Sequence, residues 1–165
     1  GTFTNHGTVD VASGSSILGL TGSTRAVYLQ PAAGGGSTNI NGLLDVDEAD
    51  FYGSSNVLTG VGIIRVKNQA YFGPAFVVQP GNSPGTLTIE GDVVFDGASL
   101  EIQFGARAHD RLVVRARADG TGGQASFAGT AVRWSFLDGV VPDLDDTTPW
   151  LSAVATDGQI GRAHV

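Results

Sequence analysis

The chain of 165 residues has no cysteine and no methionine. Without cysteine there is no disulfide, no thiolate metal site and no thiol nucleophile, so packing and hydrogen bonding must hold the fold. Charge is sparse as well. Only 15% of residues are Asp, Glu, Lys or Arg, and sixteen acids outnumber nine bases. A net charge of −7 leaves no basic stripe to neutralise phosphates, which argues against a nucleic-acid partner. No run of about 18 apolar residues occurs, so the chain is not expected to span a membrane as a helix. Helical periodicity is also missing. Its nearest candidate, Ala106–Ala118, alternates and is rich in β-branched residues. No signal peptide is visible and the first residue is Gly1, which reads as a processed product or a fragment.

Against these absences stand 25 glycines and a hydrophobic fraction of 41%. Val, Ile, Leu and Thr in short alternating runs, broken by Gly and Asn, describe many short strands joined by tight turns. The length suits one domain that buries a real core. The sharpest segment is Pro80-Gly81-Asn82-Ser83-Pro84-Gly85, which runs directly into Thr86-Leu87-Thr88-Ile89. Pro presets φ and Gly tolerates left-handed backbone, so the segment predicts a rigid corner feeding a strand.

Weaker copies of this unit recur. Gly7-Thr-Val-Asp-Val, Gly42-Leu-Leu-Asp-Val, Gly62-Ile-Ile-Arg-Val, Gly85-Thr-Leu-Thr-Ile and Gly129-Thr-Ala-Val-Arg-Trp stand at steps of 35, 20, 23 and 44 residues. The two long steps each hold two turns of about twenty residues, with Ala26–Leu29 and Arg111–Val114 as intervening rungs. Such a period predicts an all-β, single-stack β-solenoid (β-helix) of about seven imperfect rungs, with Val9/Val11, Leu44/Val46, Ile64/Val66, Leu87/Ile89, Leu112/Val114 and Val132/Trp134 stacked inward. An antiparallel β-sandwich or jelly roll is the alternative. Residues 1–135 form the repeat domain on this reading. Residues 136–165, loop-rich and holding the short run Trp150–Val154, form a C-terminal cap or closing strands of the same domain.

The stretch PGNSPGTLTIEGDVVFDGASLEIQF (residues 80–104) resembles the β-helical repeats of secreted bacterial proteins of the autotransporter-passenger type. His109–Val114, Phe127–Thr130 and Leu137–Pro142 fit the same pattern's continuation. The resemblance implies an extracellular or bacterial cell-surface structural protein, and it carries no catalytic residue over. The 165 residues include neither the membrane barrel nor the sorting tail of that pattern, so the resemblance leaves export route and anchoring open.

Residue patterns offer little chemistry. His6, His109 and His164 lack metal-ligand spacing. Asp45, Asp47, Glu48 and Asp50, then Asp143, Asp145 and Asp146, are acidic runs that could gather calcium, although solvated turns are the default. Gly34–Gly36 is not followed by a phosphate-loop lysine. On the outward column, Asp45 and Arg65 are placed to pair. Arg111, Val113 and Arg115 share one solvated strand face.

These readings give a chain that is not an enzyme, with no catalytic, cofactor or metal residues. It is expected to be a subunit of a surface fibre, sheath or adhesin stalk that pairs with itself end to end, as a homo-oligomer or filament. Gly1, Thr2, Phe3, Thr4, Val9 and Val11 at one end, and Trp150, Leu151 and Val154 at the other, are the assembly candidates. A cell-surface or matrix polysaccharide is a further partner. The alternative is a carbohydrate-binding or carbohydrate-cleaving β-helix that uses Tyr52, Tyr71, Phe72 and Trp150.

Overall fold

Alternating apolar and polar residues make strands that bury one side, and Gly or Pro between them supplies the corners. The computed structural model describes residues 2–5, 8–19, 24–28, 36–54, 56–82, 84–137, 139–140 and 149–160. Among them are fifteen strands and no helix. In chain order these are β1 (Thr2–Asn5), β2 (Val9–Val11), β3 (Ser16–Leu18), β4 (Arg25–Tyr28) and β5 (Ser37–Ile40). Next come β6 (Leu43–Phe51), β7 (Val57–Thr59), β8 (Ile63–Phe72), β9 (Val77–Val78) and β10 (Thr86–Asp96). The last five are β11 (Ser99–Phe104), β12 (Arg111–Arg115), β13 (Gln124–Phe136), β14 (Leu151–Ser152) and β15 (Ala155–Ile160).

Every ladder between these strands is parallel, and each strand pairs with its counterpart one coil away. The chain is therefore a single-stack parallel β-solenoid, and the antiparallel sandwich is set aside. Three faces wrap the core. The first holds β3, the starts of β6, β8 and β10, then β12 and β14. The second holds β1, β4, the ends of β6, β8 and β10, the start of β13, and β15, which makes seven rungs. The third holds β2, β5, β7, β9, β11 and the end of β13. Ladder shifts between Val46 and Glu48, and between Glu90 and Asp92, mark the corner from first to second face.

Inside, like stacks on like. The first face aligns Ile17, Leu44, Ile64, Ile89 and Val114 in one column. The second aligns Phe51, Phe72, Phe95 and Phe127, whose rings stack at 4.8, 4.9 and 5.0 Å between centroids. That step equals the spacing of neighbouring strands, so one ring per rung stacks without adjustment. Beside it, Ala26, Ala49, Ala70, Val93 and Ala125 form a small-residue column that lets the opposite wall close in. The third face contributes Leu58, Val78, Leu100 and Val132. Each such buried side chain stabilises the fold by roughly 1.5–3 kcal/mol relative to exposure.

The rungs differ from the glycine ladder in three respects. Val9/Val11 and Val132/Trp134 lie on the third face, paired with Thr38/Ile40 and Leu100/Ile102, and not on the face that carries Leu44 and Ile64. Ala26 lies on the second face, and the first-face strand of its coil is β3. Ile64 stacks on Ile89 instead of Leu87, so Gly62 and Gly85 are out of register. The cause is the Pro80–Gly85 corner. Gly81, at φ 92°, turns to make a two-way backbone bridge with Gly60, and the remaining corner residues displace Gly85 from the rung. Backbone pairing sets register, and glycine positions follow the loops.

The C-terminal strands join the stack in the same sense. β14 lies beside β12, with Leu151 against Leu112, and β15 lies beside β13. Residues 141–148 and 161–165, including Pro142, Asp143, Asp145, Asp146 and His164, fall outside the described residues, as do Gly1, His6 and Gly34–Gly35.

Candidate functional site

Parallel stacking places the outward side chain of each rung over that of the next, one strand spacing away. On the first face this builds a ladder of alternating charge. Arg65 Nη1 donates to Asp45 Oδ2 at 3.0 Å and its Nε donates to Glu90 Oε2 at 2.6 Å, while Arg115 binds Glu90 from the next rung. Burial would raise the Glu90 carboxyl, but hydrogen bonds from Arg65 and Arg115 outweigh it and hold the group below its ordinary value. The same bond to Glu90 raises Arg65.

The third face carries a second polar ladder. Asn39 bridges Asp10 and Thr59 across three rungs, and Gln79 and Arg133 both donate to Glu101. On the second face, the Tyr52 and Tyr71 rings meet at 5.4 Å, and the Tyr71 hydroxyl donates to Asp96 at 2.8 Å. That bond to a carboxylate, with burial second, pushes the Tyr71 phenol up to about 12.

The Pro80–Gly85 corner is tied from both sides. Asn82 Nδ2 donates to Asn41 Oδ1, two rungs back, at 2.7 Å. Asp110, 1% exposed, accepts the Gly85 amide on Oδ1 and the Gln103 amide on Oδ2, each at 3.0 Å. Burial raises its carboxyl, and the two amides only partly offset this. Between this corner and the 104–109 turn lies a cleft of about 550 Å³, lined by Pro84, Phe104, Arg107, His109 and Arg111 among others. His109 stacks on Phe104 at 5.5 Å, and Phe104 also meets Trp134 and Phe136 at 5.9 and 5.6 Å.

The residues singled out from sequence are scattered. Asp45 and Arg65 pair as expected, and Arg111, Val113 and Arg115 alternate with buried Leu112 and Val114 as expected. Asp47 caps the Thr24 amide and Glu48 accepts from Asn68, while Asp50 is buried. No group of three or more His, Asp or Glu converges as a metal set among the described residues. Phe72 is fully buried, which removes it from any carbohydrate platform.

Of the assembly candidates, Thr2 is exposed, and Phe3 and Thr4 pair through their backbone with Ala26 and Val27. Val9, Trp150 and Leu151 are half-buried against the core, Val11 is buried, and Val154 is 66% exposed. Sequence reasoning missed Glu90 and Asp110. Both act across a separation of 25 residues, which becomes meaningful only when the coil length is known.

Comparison with protein-family models, curated proteins and solved structures returned no match.

Proposed function

We propose that this chain is a non-enzymatic structural rod of the extracellular space or bacterial cell surface: a segment of a fibre, sheath or adhesin stalk that joins copies of itself end to end. The observation that supports this most directly is the outer surface. On the first and third faces of the central rungs, the charged and amide side chains hydrogen-bond to the next rung, in ladders parallel to the axis. Such pairing stiffens a rod along its length and leaves few of those groups for chemistry.

Among the described residues, β1, β2 and β3 pair on one side only, and so do β14 and β15 at the other end. A parallel rung offered by a second copy continues each ladder head to tail, and a head-to-tail contact that does not close gives an open filament. The resemblance of residues 80–104 to autotransporter-type repeats supports the cell-surface setting.

The test must block an edge without baring the next one, as deleting Gly1–Val11 would do. Val11 carbonyl accepts from Asn41, so by strand alternation the Asp10 amide faces the open edge. Asp10→Pro removes that donor and no backbone ladder bond within the chain, and the one side-chain bond it takes away, from Asn39, is exposed. Filaments in negative stain that lengthen with concentration for the parent chain, and stay short for Asp10→Pro with unchanged circular dichroism, are expected. Single rods at every concentration, or equal elongation by both, would overturn end-to-end assembly. Release of reducing sugar from a polysaccharide would overturn the non-enzymatic reading in favour of a carbohydrate-cleaving helix.

A further inference from the structure

The arginines whose side chains are described divide into two sets. Arg65, Arg115, Arg117 and Arg133 each lie within 3.8 Å of a carboxylate. Arg107 and Arg111 have no such partner among the described residues, and both line the cleft beside the Pro80–Gly85 corner. Arg111 Nε is buried and has no hydrogen-bond partner among those residues, so one donor of its guanidinium is unused. Between them His109 also lines the cleft, against the Phe104 ring. The one carboxylate in this turn, Asp110, is buried and does not line the cleft, and both its oxygens accept from backbone amides. In a chain of net charge −7, the cleft is thus a local positive site with an aromatic wall.

We propose that this cleft binds a carboxylate-bearing sugar, a uronic acid unit of an acidic polysaccharide. Arg107 and Arg111 take the carboxylate, and the Phe104–His109 wall takes the flat apolar side of the ring. Two guanidiniums suit a planar carboxylate because their donors lie in a fixed fork. An aromatic wall adds nothing for a small hydrated anion, but it does add contact for a ring with an apolar face. The proposal is independent of end-to-end assembly, since the cleft lies between two successive corners of the same chain.

The test is calorimetric titration of the chain with oligogalacturonate, a neutral cello-oligosaccharide of equal length, polyglutamate and inorganic sulfate. Oligogalacturonate is expected to bind, more weakly as salt rises, and the other three to bind at least tenfold worse, a margin of roughly one charged hydrogen bond. Arg107 is exposed, so Arg107→Gln leaves the fold intact and should weaken oligogalacturonate by about tenfold. Arg107→Gln/Arg111→Gln should abolish binding with circular dichroism unchanged. Lys67→Gln, an exposed cation elsewhere, should change nothing. Failure of oligogalacturonate to bind, equal binding of polyglutamate or sulfate, or full affinity in Arg107→Gln would each overturn the proposal.

Discussion

Replacing Phe95 tests what holds the coils together. Phe95 is fully buried, with Phe72 stacked 4.9 Å below at 23° and Phe127 5.0 Å above at 7°. Cutting it to Ala removes a buried ring, and large-to-small changes of this kind cost about 3–5 kcal/mol. Phe95→Leu is the more discriminating change, because it keeps most of the apolar volume and loses mainly the two ring–ring contacts. At roughly 0.5–1.5 kcal/mol for each aromatic pair, the expected cost is about 1–3 kcal/mol. Phe127 stacks on one described ring only, so Phe127→Leu should cost about half as much. Urea unfolding, followed by far-ultraviolet circular dichroism and by fluorescence of Trp134 and Trp150, reads both variants. Coincident transitions would show that the rungs melt together. The reasoning fails if Phe127→Leu costs as much as Phe95→Leu, or if Phe95→Leu costs less than about 0.5 kcal/mol.

Glu90→Gln leaves Arg65 and Arg115 facing a neutral amide, and a loss of about 2 kcal/mol is expected at neutral pH by chemical denaturation. Because the Glu90 carboxyl is held below its ordinary value of 4.5, its stabilisation is present above that pH and is lost as pH falls through the lower folded value. Glu90→Gln should therefore flatten the acid limb of the stability profile, and an unchanged limb would refute the role given to the ladder. Gly60→Ala should cost more than about 2 kcal/mol, since φ is 122° and the added Cβ would fall 2.1 Å from the Ile40 carbonyl oxygen; a neutral result in thermal melts would contradict this. Ultraviolet titration should find one tyrosine ionising near 12, and Asp96→Asn should return it toward 10.0. Persistence of the high value in Asp96→Asn would remove the Tyr71–Asp96 bond as its cause.

Much of the architecture was legible because a β-solenoid writes its period into the chain. Leu44, Ile64, Ile89 and Val114 occupy equivalent places in successive rungs, and each sits in an alternating run. The Asp45–Arg65 pair was legible for the same reason: an unbroken interval of 20 residues separates them, so outward positions could be counted. Where a corner changes length, counting fails. Pro80–Gly85 lengthens one coil, and the glycine alignment then put Leu87 where Ile89 belongs. Val9 and Val132 were given to the wrong face because all three faces use the same alternation.

The amino-acid sequence by itself determined the class of fold: strands, turns and a repeat, with no disulfide to help. Short-range physics suffices for that, since alternation and turn chemistry are decided within a few residues. Tertiary structure alone decided which rungs touch, and with it everything that depends on a long interval. Phe51, Phe72, Phe95 and Phe127 became one stack, Glu90 came to lie between two arginines, and Asp110 came to hold the Gly85 amide. The same stacking set Arg107 and Arg111 beside an aromatic wall. These contacts rest on the length of each coil, which the corners set and no local pattern records.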